Sequence, residues 1–260
     1  MNVEQNLRIF YPAIFKFLGN RKIGWRMISK NFESLISKRR NEIINSKTGV
    51  IQSELCLLDL ITQRVLNNTS NLHLSEFFNA VLENLLNQTD EAERLLLSNT
   101  IYNALVNFDR RYLNFVGELA VLSILKDQGY YLEQTEFPLT NDKNAKRIDF
   151  LISKDGENRL LEVVNIHIPY EIQLPKESIE LIFESKVRDK IADKGRNTEW
   201  KFSLAPVIWS DFKTLEIIND FFKPEICDRV LYPFAYMGYN LRDSNQSKVL
   251  FGSIDRVINA

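Results

Sequence analysis

Cysteine is scarce in this chain, and what little there is excludes two kinds of scaffold. Cys56 and Cys227 lie far apart in apolar contexts, with no CxxC spacing and no Cys-rich framework. This rules out a disulfide-stapled fold and a paired-thiol metal site, and it predicts reduced, buried thiols in a cytoplasmic protein. Glycine and proline are few, nine and seven in 260 residues, as in a globular chain. Charge of one sign is missing too: the formal net charge is -1, so any pull toward a polyanion must come from a local patch. No apolar run approaches the roughly 18 residues of a membrane span, and the opening MNVEQNLRIF has no signal-peptide pattern. Also lacking are a Gly-rich phosphate loop, His-Glu-x-x-His and Gly-x-Ser-x-Gly, which argues against several common enzyme classes.

What is present begins with helices. Through about residue 110, apolar residues recur at three- and four-residue spacings, with no alternating run and no repeat of fixed period. Phe10, Ile14, Phe17 and Leu18 mark a first helix ending at Gly19-Asn20, and Trp25 to Ile44 a second. A third carries Leu55, Leu58, Ile61 and Val65 after Thr48 or Ser53 as cap. Ser75 to Asn87 and Asp90 to Asn107 make the fourth and fifth, and His73 opens a helix without a partner pattern.

Charge is uneven in this half. The first 50 residues hold ten Lys and Arg against three acids, whereas residues 51 to 110 hold three against eight. Arg21, Lys22, Arg26, Lys30, Lys38, Arg39 and Arg40 surround Trp25. Two readings stand: a surface that tracks a phosphate backbone, with an aromatic platform, or a solvated helix face paired with the acidic helices that follow.

From Tyr112 the texture changes. A helix around Glu118 precedes a strand at Tyr130 to Phe137, and Arg147 to Ser153 and Arg159 to His167 then read as two strands about the Asp155-Gly156 hairpin signal. Helix Glu177 to Lys194, strand Phe202 to Trp209, helix Asp211 to Phe222 and strands at Val230 to Tyr239 and Lys248 to Phe251 complete the pattern. Two acids interrupt the apolar strands, Asp149 on the first and Glu162 on the second. An unpaired carboxylate there would be costly, so each is expected to be compensated, with a divalent cation as one candidate. Glu162 and Val164 share a face by alternation, while Asn165 and His167 share the other, where His167 is read as structural.

These residues resemble the core of the PD-(D/E)XK, or restriction-endonuclease-like, nuclease superfamily, in which a Glu-bearing helix precedes a hairpin with Asp on one strand and Glu-x-Lys on the next. The resemblance covers roughly residues 112 to 210, and Glu162-Val163-Val164 has Val where the family has its Lys. It implies a restriction-endonuclease-like mixed sheet flanked by helices over 112 to 260, which together with the all-helical region read over residues 1 to 111 makes an α+β chain. It implies Mg²⁺ or Mn²⁺ held by Asp149, Glu162 and Glu118, with Lys186 or Lys190 replacing the missing amine from the stripe Lys186, Lys190, Lys194. The implied activity is metal-dependent phosphodiester cleavage of a nucleic acid, DNA before RNA; on its polyanion reading the basic segment would add Arg21, Lys22, Arg26, Lys30, Arg39 and Arg40 as backbone contacts. The alternatives are an inactive nuclease-like module, which Val164 favours, and a protein-interaction role for the helical half.

Overall fold

Helix boundaries follow the caps and breakers of the chain more closely than its apolar spacing. The computed structural model describes residues 2–45, 55–66, 68, 71–109, 111–140, 142, 145–168, 174–195, 200–222, 229–240 and 247–260. The protein is of the α+β class, helices first and then a mixed sheet with further helices. It divides into two compact units, Met1–Val116 with Asn240–Ser247 and Gly117–Tyr239 with Lys248–Ala260.

In the first unit the single helix expected through Leu18 is two, α1 (Val3–Phe10) and α2 (Ala13–Leu18). Pro12 is the reason: it has no N–H to donate and disfavours helical geometry at Tyr11, which adopts φ -140°. The apolar spacing survives the break because both pieces bury the same kind of residue, Leu7, Ile14, Phe17 and Leu18. α3 (Trp25–Asn45) follows the expected range. α4 (Leu57–Val65) starts at Cys56, where Asp59 Oδ2 accepts from the Cys56 N–H at 2.7 Å; Thr48 and Ser53 lie outside the described residues, as does Cys227. α5 (Leu72–Gln88) includes His73, whose pKa burial lowers. α6 (Glu91–Val106) opens on a reciprocal cap, Asp90 accepting from the Glu93 N–H and Glu93 from that of Asp90.

α7 (Tyr112–Asp127) leads into the sheet unit. There β1 (Tyr131–Pro138), β2 (Arg147–Lys154) and β3 (Glu157–His167) form an antiparallel meander. The crossover helix α8 (Lys176–Lys194) returns the chain to β4 (Lys201–Trp209), parallel to β3. Another, α9 (Phe212–Phe221), precedes β5 (Phe234–Asn240), parallel to β4. β6 (Ser247–Ser253) completes the sheet order β1-β2-β3-β4-β5-β6, and the short α10 (Ile254–Ile258) ends the chain. Leu160, Val164 and Ile166 on alternate positions of β3, with Ile168 just past its end, enter one apolar cluster with Ile179 and Phe183 of α8 and Leu215 and Ile218 of α9. Glu162 falls in that same row of β3. No helix among the described residues is long and apolar enough to cross a membrane.

Candidate active site

The β2–β3 hairpin sets the site. Asp155 and Gly156 both have positive φ, 53° and 80°, the geometry of a two-residue turn whose twist matches that of the strands. That turn fixes the register Lys154–Glu157 through Phe150–Leu161. One step further it sets Asp149 opposite Glu162, and there the backbone ladder stops. Asp149 Oδ2 accepts instead from the Val163 N–H at 2.7 Å.

A third acid stands level with these two. Between the pairs Thr135–Phe150 and Phe137–Ile148, the residue of β1 opposite Asp149 is Glu136, which holds a φ of 51°. Side chains other than Gly, Asn and Asp rarely adopt that region, and such outliers gather at functional sites. Glu136, Asp149 and Glu162 thus form a row across three neighbouring strands. Reading the sequence missed Glu136, because an exposed acid in a polar strand carries no local signal.

Glu162 is fully buried, and Lys190 and Lys194 both donate to its Oε1, at 2.7 and 2.6 Å. Its Oε2 is buried without a hydrogen-bond partner among the described residues. Lys190 keeps 37% of its side chain exposed and Lys194 15%. Burial works to lower the Lys190 pKa, but its hydrogen bond to Glu162, with the charges of Glu162, Asp149 and Asp193, raises it above the ordinary value. Lys186, eight residues before Lys194, is exposed, so of the predicted stripe the structure brings Lys190 and Lys194 to the carboxylate. Asp193 pairs with Lys146 and is thereby occupied.

The carboxylates press on one another. Burial, and then the charge of Glu162, push Asp149 up to about 7 against the pull of Lys194, the Val163 N–H and Lys190. Glu118 is pushed well above the usual carboxylate range by burial and then by Asp149, Glu136 and Glu162, with Lys194 opposing. Its neighbour Gly117 has a different task. A Cβ there would lie 2.0 Å from Asn165 Oδ1, so glycine lets α7 rest on β3. Asn165 in turn accepts from Trp209 Nε1 at 2.8 Å, and His167 stacks on Trp209 with ring centroids 5.9 Å apart.

Val164, where the resemblance expects an amine, is 4% exposed within the apolar cluster. An ammonium there would displace core packing. α8 delivers its lysines to Glu162 from outside that cluster.

The basic segment of the first unit divides. Arg39 Nη1 donates to both oxygens of Asp59, at 2.8 and 2.9 Å, with both side chains largely buried. Arg21 donates to Asn99 at 2.6 Å and lies 4.1 Å over the Tyr102 ring. Lys22, Arg26, Lys30 and Arg40 are exposed. Trp25 is half-buried with its ring 5.6 Å from that of Phe15.

Four carboxylates therefore meet two ammonium groups, leaving two negative charges in excess when all are ionised. Burial and this mutual repulsion raise the pKa values of Asp149 and Glu118; a hard divalent cation would relieve the charge as well. Among the described residues no group of three or more His, Cys, Asp or Glu side chains is drawn tightly enough to form a ready metal cluster. Asp149 and the unpartnered Glu162 Oε2 are the donors on offer, and their oxygen chemistry suits Mg²⁺ or Mn²⁺. No family model, no curated protein and no solved structure matches the chain.

Proposed function

We propose that the sheet unit is a divalent-cation-dependent phosphodiester hydrolase of the PD-(D/E)XK type, acting on nucleic acid, whose amine comes from α8 instead of β3. The observation that carries this reading is the convergence of Lys190 and Lys194 on a buried Glu162 whose other oxygen is unpartnered, beside Asp149. Asp149 and Glu162 would hold the cation, with Glu118 and Glu136 completing its charge balance. When bound, the cation polarises the phosphate and lowers the pKa of the attacking water.

The chain's own groups divide the remaining work. Lys190, the more exposed amine, reaches outward to offset charge on the phosphoryl oxygens. Lys194 sits deeper and orients Glu162 through Oε1. Asp149, whose Oδ2 is held by the Val163 N–H, would offer Oδ1 to the cation; burial and the Glu162 charge raise its pKa to about 7 without the ion, so loading the ion would displace a proton there. The exposed Lys22, Arg26, Lys30 and Arg40 of the helical unit supply backbone contacts to the polyanion. Arg39, committed to Asp59, and Arg21, committed to Asn99, are left out of that role.

A second reading has an observation of its own. Two amines already neutralise Glu162, as in a purely structural ion pair, and this fits a nuclease-like module that binds without cutting. Titrating Mn²⁺ while following the free ion by electron paramagnetic resonance separates the two. The hydrolase reading expects a bound ion that Asp149→Ala or Glu162→Ala removes, together with cleavage of DNA or RNA. Absence of both binding and cleavage across Mg²⁺ and Mn²⁺ would leave only the second reading.

A further inference from the structure

We infer that the sheet unit carries a second binding site, for a planar aromatic anion, on the face of β3 opposite Glu162. A cavity of about 690 Å³ lies among the end of α7, strands β2, β3, β5 and β6, and α10. That size falls in the range of small-molecule sites. Arg159 and Leu161 line it, and they alternate along β3 with Leu160 and Glu162, so the cavity and Glu162 occupy opposite faces of one strand.

Its walls are apolar and aromatic. Leu161 and Val257 are buried, and Phe234 and Phe251 stack with ring centroids 6.1 Å apart and 10° between their planes. Flat rings favour a flat occupant, which gains area and offset stacking at little entropic cost. Two guanidinium groups, Arg159 and Arg256, line the same space, and neither makes a hydrogen bond or ion pair among the described residues. Against them the lining has one acidic side chain, Asp127, and the exposed Glu157 feels the charge of Arg159 from outside the lining. A guanidinium fork matches the paired oxygens of a carboxylate or phosphate. Cavity walls and cations together select an aromatic body with an anionic head.

Two sources share that chemistry: a nucleoside monophosphate, free or at a nucleic-acid terminus, and an aromatic carboxylate. Isothermal titration of the full chain with adenosine monophosphate and with 2-naphthoate tells them apart. The tighter of the two identifies the source, and at least one is expected to bind below ~1 mM. Its neutral counterpart, adenosine or naphthalene-2-methanol, should bind about tenfold more weakly or worse, the worth of a charge-assisted hydrogen bond. Arg159→Ala should weaken binding about tenfold and the Arg159→Ala/Arg256→Ala pair about a hundredfold, with Arg159→Lys in between. Both arginines are at least partly solvent-exposed, so unchanged thermal melting is expected of these variants. The Asp149→Ala protein should bind the same ligand unchanged, which keeps this site's fate separate from that of the hydrolase reading. Binding of neither probe at ~10 mM, or binding indifferent to the double substitution, would overturn the site.

Discussion

Each unit of this protein holds a buried carboxylate with cations of its own, and the two arrangements differ in completeness. In the helical unit Asp59 uses both oxygens: Arg39 bonds each, and Oδ2 also takes the Cys56 N–H. Nothing is left over, and the arrangement ties the C-terminal part of α3 to the start of α4. In the sheet unit Glu162 places two ammonium groups on one oxygen and leaves the other bare, with further acids beside it. A satisfied pair is structural; a crowded, half-satisfied one stores the unfavourable charge that a ligand can relieve. Buried polar groups left incompletely paired are costly, and such cost persists where a site needs it.

The comparison breaks most visibly in catalysis. If the incomplete pair is the working site, Lys190→Ala should slow Mn²⁺-dependent cleavage by about a hundred- to a thousandfold while changing ion affinity far less, because the amine acts on charge that develops in the transition state. Lys186→Ala should leave the rate alone. Single-turnover cleavage with the ion saturating is the measurement, and equal losses in both variants would point to a general effect of α8 charge.

A smaller effect separates the pairs by stability. Arg39→Ala strands Asp59 in a largely buried place and should cost about 3 kcal/mol, read from chemical denaturation. Added Mn²⁺ should recover none of it. Lys194→Ala is expected to destabilise by a comparable amount in metal-free buffer, but millimolar Mn²⁺ should restore a good part, since an ion that binds only the native state stabilises it by mass action. Identical responses of the two variants to the ion would erase the distinction between the pairs.

The gentlest test is pH. Asp149 titrates at about 7 and Glu118 well above its ordinary value in the native protein, whereas both titrate near 4 in an unfolded chain. Between those values the native state holds the extra protons, so metal-free stability should fall as pH rises from about 4 to about 7. Asp149→Asn should flatten that decline. Urea melts at half-unit pH steps follow it, and a stability that climbs across this window through the Asp149 group would remove the account of a pressed carboxylate.

Much of this was legible from local chemistry. Asp155-Gly156 announces the hairpin because few residues tolerate two successive positive φ values, and the hairpin's register alone sets Asp149 against Glu162. Asp90 with Glu93 announces α6 by the same kind of local rule. Pro12 was equally local, yet apolar spacing that continued across it masked the break between α1 and α2.

Local chemistry runs out where distance along the chain is large. A stripe of Lys186, Lys190 and Lys194 follows from helical periodicity, but which of them meets Glu162 depends on how far α8 runs along β3 before it ends at Gly195, and that is settled by Ile179 and Phe183 seating in the sheet. Glu136 became part of the site through the pairing of β1 with β2, which no single strand encodes. Pairing of the basic run with the acidic helices after it was one of the two sequence readings, but that Arg39 and Asp59 are a pair is decided by the tertiary fold. The sequence by itself determined the element types, the turn, and the pairing of two acids, since each depends on residues within a few positions of one another. Only the tertiary structure decided which charges are spent on one another and which stay incompletely paired, because Coulomb energy and desolvation depend on spatial neighbours that the chain brings together from far apart.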